Sequence, residues 1–372
     1  MLSTFNSISN LNRRVTAPPV PILTTIAGST NGLNVIGTPT MKSYVSISDD
    51  GQNICVLSSS NATQCAPCYS TNGGASWTLS TMGTTLPSSA NCWGYGASYD
   101  NKYIIFSIDT NGYYPFFSSN YGATFTQFTS ANFASVTPTS GNFGGNVSDD
   151  GQTVCFSNAG VAGTYGYYIS RNGGTSFTRY QSTLYGDIVC SPSTGQYVLA
   201  VNNTSSGYRQ RYSSDYGVTW TDGSLPCSTT SAQGHPLISD DGTKMWTLVW
   251  NGSTNQSCFC DLSVSTTWSS NFGLSQWASS YPMVVPNLSD SDASRTLKMM
   301  VATMEGGSGT ASNNCFYTLD TGTTWVRIGT TFSALSTIKF QKVCVSKNGK
   351  YMILIGANNG NMYKITFPTN NV

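Results

Sequence analysis

Short runs rich in β-branched and aromatic residues recur along this chain. They fall at Asn53–Leu57, Tyr103–Ser107, Thr153–Ser157, Tyr197–Val201, Met245–Trp250, Leu297–Ala302 and Tyr351–Ile355. Clusters of Gly, Asn and Ser bound each run, the pattern of a strand between tight turns. Before each run stands a polar turn led by serine. Ser48-Asp-Asp-Gly51, Ser148-Asp-Asp-Gly151 and Ser239-Asp-Asp-Gly242 are near-identical. Ser98-Tyr-Asp100-Asn, Ser191-Pro-Ser-Thr-Gly195, Ser289-Asp-Ser-Asp and Ser346-Lys-Asn-Gly349 are looser. The leading serines are 50, 50, 43, 48, 50 and 57 residues apart.

A second turn phrase is interleaved with the first. Ser213-Ser-Asp215-Tyr-Gly217-Val-Thr219-Trp220 is its clearest copy. Others begin at Ser70, Ser118, Ser170 and Thr318, and a worn copy ends at Thr267-Trp268. The Asx side chain accepts backbone N–H groups within such a turn, and Gly takes the positive φ there. The aromatic opens the next strand as a core anchor. The unit is thus strand, acidic turn, strand, longer loop, strand, Asx-Gly turn, aromatic-led strand. Four antiparallel strands repeated at about fifty residues make an all-β propeller. Seven serines predict seven blades, with six as the alternative count. The last blade lacks its own outer strand, so Pro21–Ile26 or Leu33–Ile36 is expected to close the ring. Residues 1–20 are read as an extended arm and 21–372 as one propeller domain.

The phrase Ser/Thr-x-Asp/Asn-x-Gly-x-Ser/Thr-aromatic resembles the Asp-box (BNR) repeat, over residues 44 to about 365. That resemblance implies the propeller of sialidases, sortilin-type receptor domains and a photosystem II assembly factor. It does not imply one activity, because this fold carries unrelated ones.

Composition narrows the function. Charged residues are 9% of the chain and net charge is +1, with no basic stripe, so nucleic acid is not an expected partner. No apolar run approaches the roughly 18 residues of a membrane span. Arg13 and Arg14 follow a polar stretch with no apolar segment before them, so no standard secretory signal is visible. The arm, with its stiff Thr16-Ala-Pro-Pro-Val-Pro21 segment, is expected to dock on a neighbouring subunit or across the propeller. The hydroxyl-rich, weakly charged composition favours the surface of a particle or an extracellular assembly.

The eleven cysteines are read chiefly as packed core thiols. Cys55 and Cys155 fall at equivalent sites, and so do Cys190 and Cys344. Cys65-Ala-Pro-Cys68 has no second Cys pair or His cluster beside it, since His235 is the single histidine. No metal site and no cofactor are expected.

Sialidase chemistry, as the resemblance would have it, needs an arginine cluster, a Tyr nucleophile assisted by Glu, and an Asp acid/base. The chain has one glutamate, Glu305, and no Arg-Ile-Pro motif before the first repeat. Most aspartates are consumed by turns; Asp109 and Asp187 are expected in loops on one face. Longer loops on the face opposite the turns hold Trp93, Tyr95, Tyr113, Tyr114, Tyr185, Tyr208, His235, Trp250 and Tyr281. Aromatics beside hydroxyl and amide groups suit a sugar ring or a protein interface. The sequence therefore reads as a non-catalytic binding or structural propeller that recognises glycans or a protein through this loop face. A glycoside hydrolase or sialidase-like enzyme is the alternative.

Overall fold

The computed structural model describes residues 20–26, 44–60, 64–84, 92–108, 114–133, 138, 142–158, 165–181, 185–204, 207–224, 235–250, 255–264, 266–270, 288–304, 315–356 and 361–368. The strands form seven sheets, the blades of a propeller. The inner strands are Tyr44–Ile47, Cys92–Ala97, Asn142–Val147, Tyr185–Cys190, His235–Ile238, Leu288–Ala293 and Phe340–Val345, for blades 1 to 7. Each pairs antiparallel with the next strand in sequence, and the sheets run outward from there.

Blade 7 is completed by the start of the chain. Ile22–Thr25 pairs antiparallel with Met362–Thr366, Ile22 opposite Thr366 and Thr25 opposite Tyr363. Of the two closing segments expected, Pro21–Ile26 is thus the one used; Leu33–Ile36 lies outside the described residues. This junction joins the first and last blades and covers a strand edge that would otherwise be exposed. Outer edges are covered elsewhere too. Thr81–Met82, leaving blade 1, pairs parallel with the outer strand of blade 2, and Phe133, leaving blade 2, bridges to Phe177 of blade 3.

The Asx-Gly turns are held as their chemistry demands. The Asp215 carboxylate accepts from the Thr219 N–H at 2.8 Å and the Thr219 hydroxyl at 2.6 Å, while Ser213 Oγ accepts from the Gly217 N–H at 2.8 Å. These bonds favour the charged form and hold the Asp215 pKa down at about 2. Copies at Asn72, Asn120, Asn172 and Asp320 repeat the pattern. The aromatic that follows is buried at Phe125, Phe177, Trp268 and Trp325. The core is a series of layers between blades. Cys55 and Leu57 of blade 1, for example, pack with Ile104, Phe106, Phe116 and Phe125 of blade 2. Full burial of each large side chain stabilises by roughly 1.5–3 kcal/mol.

In the serine-led turns the two acidic residues divide the work. The second caps its own turn: Asp50, Asp150 and Asp241 each accept the hydroxyl of the leading serine and the N–H two residues on. The first reaches the neighbouring blade. Asp149 accepts the Tyr99 N–H at 2.7 Å and Asp240 the Ser193 N–H at 2.6 Å. Backbone carbonyls accept at the other junctions: Asp49 N–H to Tyr99, Asp149 N–H to Pro192, Asp240 N–H to Arg295 and Arg295 N–H to Lys347. Asn348 N–H returns to Asp49 at 2.7 Å and closes a hydrogen-bonded circuit through all seven blades.

Blade 6 corrects the sequence reading. Its leading serine is Ser294, whose Oγ accepts the Met299 N–H at 3.1 Å, and Ser289 lies inside the strand Leu288–Ala293. Leu297, at φ 54°, holds the left-handed slot that Gly fills in most of the other turns. Among the described cysteines, eight are buried. Cys55 and Cys155 are equivalent, opposite Ser46 and Asn146. Cys190 and Cys344 are not: Cys190 lies opposite the first residue of the next strand, Val198, a place taken in blade 7 by Val345.

Candidate functional site

Counting back four residues from each leading serine reaches Tyr44, Gly94, Gly144, Asp187, His235, Asp290 and Lys342. The ladders place these residues at one level. Tyr44 is opposite Leu57, Gly94 opposite Ser107, Asp187 opposite Val201, His235 opposite Leu248, Asp290 opposite Thr303 and Lys342 opposite Ile355. In a chain with 9% charged residues and one histidine, four of the seven positions hold Asp, His or Lys. The inner strands of blades 2, 3, 6 and 7 each carry a register shift beside this level. Such bulges gather where a strand borders a site.

Two sides of this ring differ. On blades 2 and 3 the wall is bare backbone: a Cβ on Gly96 would meet Asn146 Cα at 2.5 Å, and one on Gly94 would overlap the Gly144 carbonyl. From blade 4 round to blade 1 runs the arc of Asp187, His235, Asp290, Lys342 and Tyr44. A cavity of about 130 Å³ lies along the axis, lined by Tyr44, Tyr95, Asn146, Asp187, Lys347 and the glycines of blades 2 and 3, among others. Burial pushes the half-buried Asp187 carboxyl up to about 7, with Lys342 pulling the other way. Lys342 is itself buried, its Nζ 4.1 Å from the centroid of the Tyr44 ring. Tyr44 in turn stacks on Tyr95 at 5.9 Å, and the Tyr95 hydroxyl bonds Ser46 Oγ at 2.5 Å.

Arg295 bars the turn-face end of the channel. It leaves the turn of blade 6 and ion-pairs with Asp149 of blade 3 at 2.5 Å, with Nη1 3.3 Å from Ser193 Oγ of blade 4. Its guanidinium lies 4.9 Å over the Tyr99 ring of blade 2. A side chain that touches blades 2, 3 and 4 from blade 6 has to cross the axis. Burial holds the Asp149 carboxyl up at about 6 despite the guanidinium beside it, and raises Asp49 as well.

This architecture can be compared with known proteins. No family model matches the chain, and no curated protein matches it in sequence. Solved structures do match. YCF48 bound to D1 peptide aligns with TM-score 0.58 at 14% identity, over 95% of this chain and 99% of that one. The Cps50 (Swd1) β-propeller domain of Myceliophteria thermophila aligns with TM-score 0.57 at 9% identity, over 93% and 100%. Hydrazine synthase of Kuenenia stuttgartiensis aligns with TM-score 0.56 at 10% identity, over 88% and 95%. The likeness is one of fold. At these identities it carries no activity across.

The aromatic residues singled out in the sequence are placed as follows. Trp93, Tyr95, Tyr185 and His235 are on inner strands, five, three, six and four residues before their turn serines. Tyr208 and Trp250 stand next to loop-face ends of strands, opposite Asn203 and Asn255. Tyr114 is partly buried, its ring 5.4 Å from that of Phe133, within the packing between blades 2 and 3. Tyr95 packs between blades 1 and 2 and lines the cavity. Tyr113 and Tyr281 lie outside the described residues, as do Asp109 and Glu305. Asp187, expected in a loop, belongs to an inner strand. The selection by aromatic type passed over Tyr44, Asp187, Asp290 and Lys342. Counting back from the serines would have found all but Asp290, which the misread turn of blade 6 concealed.

Proposed function

We propose that this chain is a non-catalytic binding propeller that takes a polypeptide partner at the loop-face end of its axial channel. One observation carries the reading. Tyr44 and Asp187, at the level of the ring, line the narrow axial cavity, and on the turn face Arg295 spans from blade 6 to Asp149 of blade 3. A partner entering from the loop face therefore meets the Asp187 carboxyl beside Tyr44 in an otherwise weakly charged protein, the kind of anchor that fixes orientation and specificity. The solved YCF48 complex, which holds a D1 peptide on a propeller of this architecture, supports the reading. The test is to probe a peptide array and a glycan array with the full chain. Peptide capture that is lost in Lys342→Ala and kept in a Trp93→Ala/Trp250→Ala double variant is expected. Glycan capture lost in the double variant would move the partner to carbohydrate, and capture of neither would sink the proposal.

A second reading, glycoside hydrolysis, is favoured by Asp187 and Asp290 standing at one level two blades apart. Such hydrolysis uses a carboxylic acid and a carboxylate flanking the scissile bond, and Asp187, pushed up to about 7, has the character of the acid. Turnover of an aryl-glycoside panel, abolished in both Asp187→Asn and Asp290→Asn, would establish it; none is expected.

A further inference from the structure

We propose that Cys155 and Cys190 are the two halves of a disulfide that staples blade 3 to blade 4 when the chain folds in an oxidising compartment. The inference goes beyond the polypeptide reading and does not depend on it. Its geometry starts from the ladder of blade 3. Cys155 stands directly opposite Asn146, and residues so placed in an antiparallel pair send their side chains to the same face. Cys190, the last residue of the inner strand of blade 4, reaches that face from the neighbouring blade. Its Sγ donates to Asn146 Oδ1 at 3.2 Å, and the Cys155 thiol hydrogen-bonds with it. Both cysteines are buried in one layer between the blades, with Tyr167, Ile188 and Val198. Beside the pair, the Asp149 N–H donates to the Pro192 carbonyl and the Thr153 hydroxyl to the Thr194 carbonyl at 2.8 Å. The blades are thus already held together where the thiols meet, and the bond can close without prying them apart.

The junction between blades 1 and 2 supplies the contrast. Cys55 occupies the place of Cys155, but the group that hydrogen-bonds it from the next blade is the Tyr95 hydroxyl. Cys68, in the same blade as Cys55, is opposite Val56 and therefore points to the other face of the sheet. Cys55 has a phenol where Cys155 has a thiol.

The reaction is exchange with a small-molecule disulfide of the oxidised-glutathione class. One cysteine thiolate attacks that disulfide, forms a mixed disulfide and expels one small thiolate. The other cysteine thiolate then attacks the protein sulfur of the mixed disulfide and expels the second. The two cysteines are oxidised, the reagent is reduced to two thiols, and these take up the two protons. Hydrogen bonding with Cys155 and burial push the Cys190 thiol well up, so little of its thiolate exists once the blades have closed. The bond therefore forms while they are open, and closure then shields it from reductant.

The test uses the full chain purified with reductant. It is held with oxidised glutathione at a urea concentration just below its unfolding midpoint, where blades open and reclose. The remaining thiols are then alkylated under denaturing conditions and the peptides mapped by mass spectrometry. The Cys155 and Cys190 peptides should be joined, and Cys55 alkylated. After urea is removed the oxidised protein should melt a few degrees above the reduced one, a difference that Cys190→Ala should abolish. Alkylation of both Cys155 and Cys190, glutathione left on either, or pairing of either with another cysteine would overturn the proposal. An oxidised form that melts no higher would show that the bond staples nothing. The mapping is read on the wild-type chain, so the answer does not hinge on whether the variant folds.

Discussion

Asn348 grips Asp49 twice: its backbone N–H donates to Asp49 Oδ1 at 2.7 Å and its side-chain Nδ2 to the Asp49 carbonyl at 2.8 Å. This pair joins the last blade, the one that the N-terminal strand completes, to the first on the turn face.

Removing the acceptor should loosen that junction. Asp49→Ala leaves the Asn348 N–H without its side-chain acceptor and is expected to cost about 1–3 kcal/mol. Asp49→Asn keeps an oxygen in place and should retain most of the stability. Urea unfolding of both variants checks this; equal losses would show that charge, not the hydrogen bond, holds the contact.

The backbone wall of the channel should be intolerant of a methyl group. Gly96→Ala drives a Cβ to 2.5 Å from both Asn146 Cα and the Gly145 carbonyl oxygen, where the inner strands of blades 2 and 3 touch. Overpacking of this kind typically costs about 1–3 kcal/mol. Gly83→Ala, whose nearest neighbour would be the Phe125 carbonyl oxygen at 3.5 Å, should be nearly neutral. The difference in melting temperature between the two is the measurement.

Stability should fall as pH rises from about 4 to 7. Asp149 and Asp187 have folded-state values of about 6 and about 7, above the ordinary 3.8 of an unfolded aspartate. Between those values the folded protein holds protons that the unfolded chain has lost, so raising the pH favours unfolding. Asp215, at about 2, works in the opposite sense and loses its contribution as pH drops below 4. The urea midpoint should therefore peak in mild acid; a midpoint higher at pH 7.5 than at pH 5 would refute the assignment.

Deleting residues 1–26 removes the outer strand of blade 7 and exposes the edge of Met362–Thr366. It also uncovers Gly74, against which Ile26 packs. The shortened chain should melt earlier and associate in a concentration-dependent way. A synthetic peptide spanning residues 19–27 should restore the melting temperature. Failure of the peptide to bind would mean that the strand contributes little to closure.

Most of the architecture is legible in the sequence because hairpin turns carry their own chemistry. Six of the seven leading serines are correctly located, since Asp, Asn and Gly at fixed offsets mark them. Blade 6 defeats that reading for a physical reason: a leucine occupies its left-handed position, and the acidic stretch before it belongs to a strand. The axial ring is legible only through those turns, by counting back from each serine, so the error at Ser289 also hid Asp290. The bulges beside the ring leave no mark in residue type, and neither does the long reach of Arg295. Tyr95 and Tyr114 illustrate the limit of choosing by residue type: both are aromatic and near the loop face, yet each spends its ring on packing between blades.

The circuit of turns has a parity problem. Carboxylates accept on blades 1, 3 and 5, and carbonyls accept on the blades between them. An odd ring cannot alternate throughout, so two neighbours must be alike, and these are blades 6 and 7. Blade 6 has Arg295 where blades 1, 3 and 5 place an acceptor carboxylate, and that freed side chain is the one that crosses the axis to Asp149. The mismatch that an odd blade count forces on the ring is thus where the protein seats the stopper of its channel.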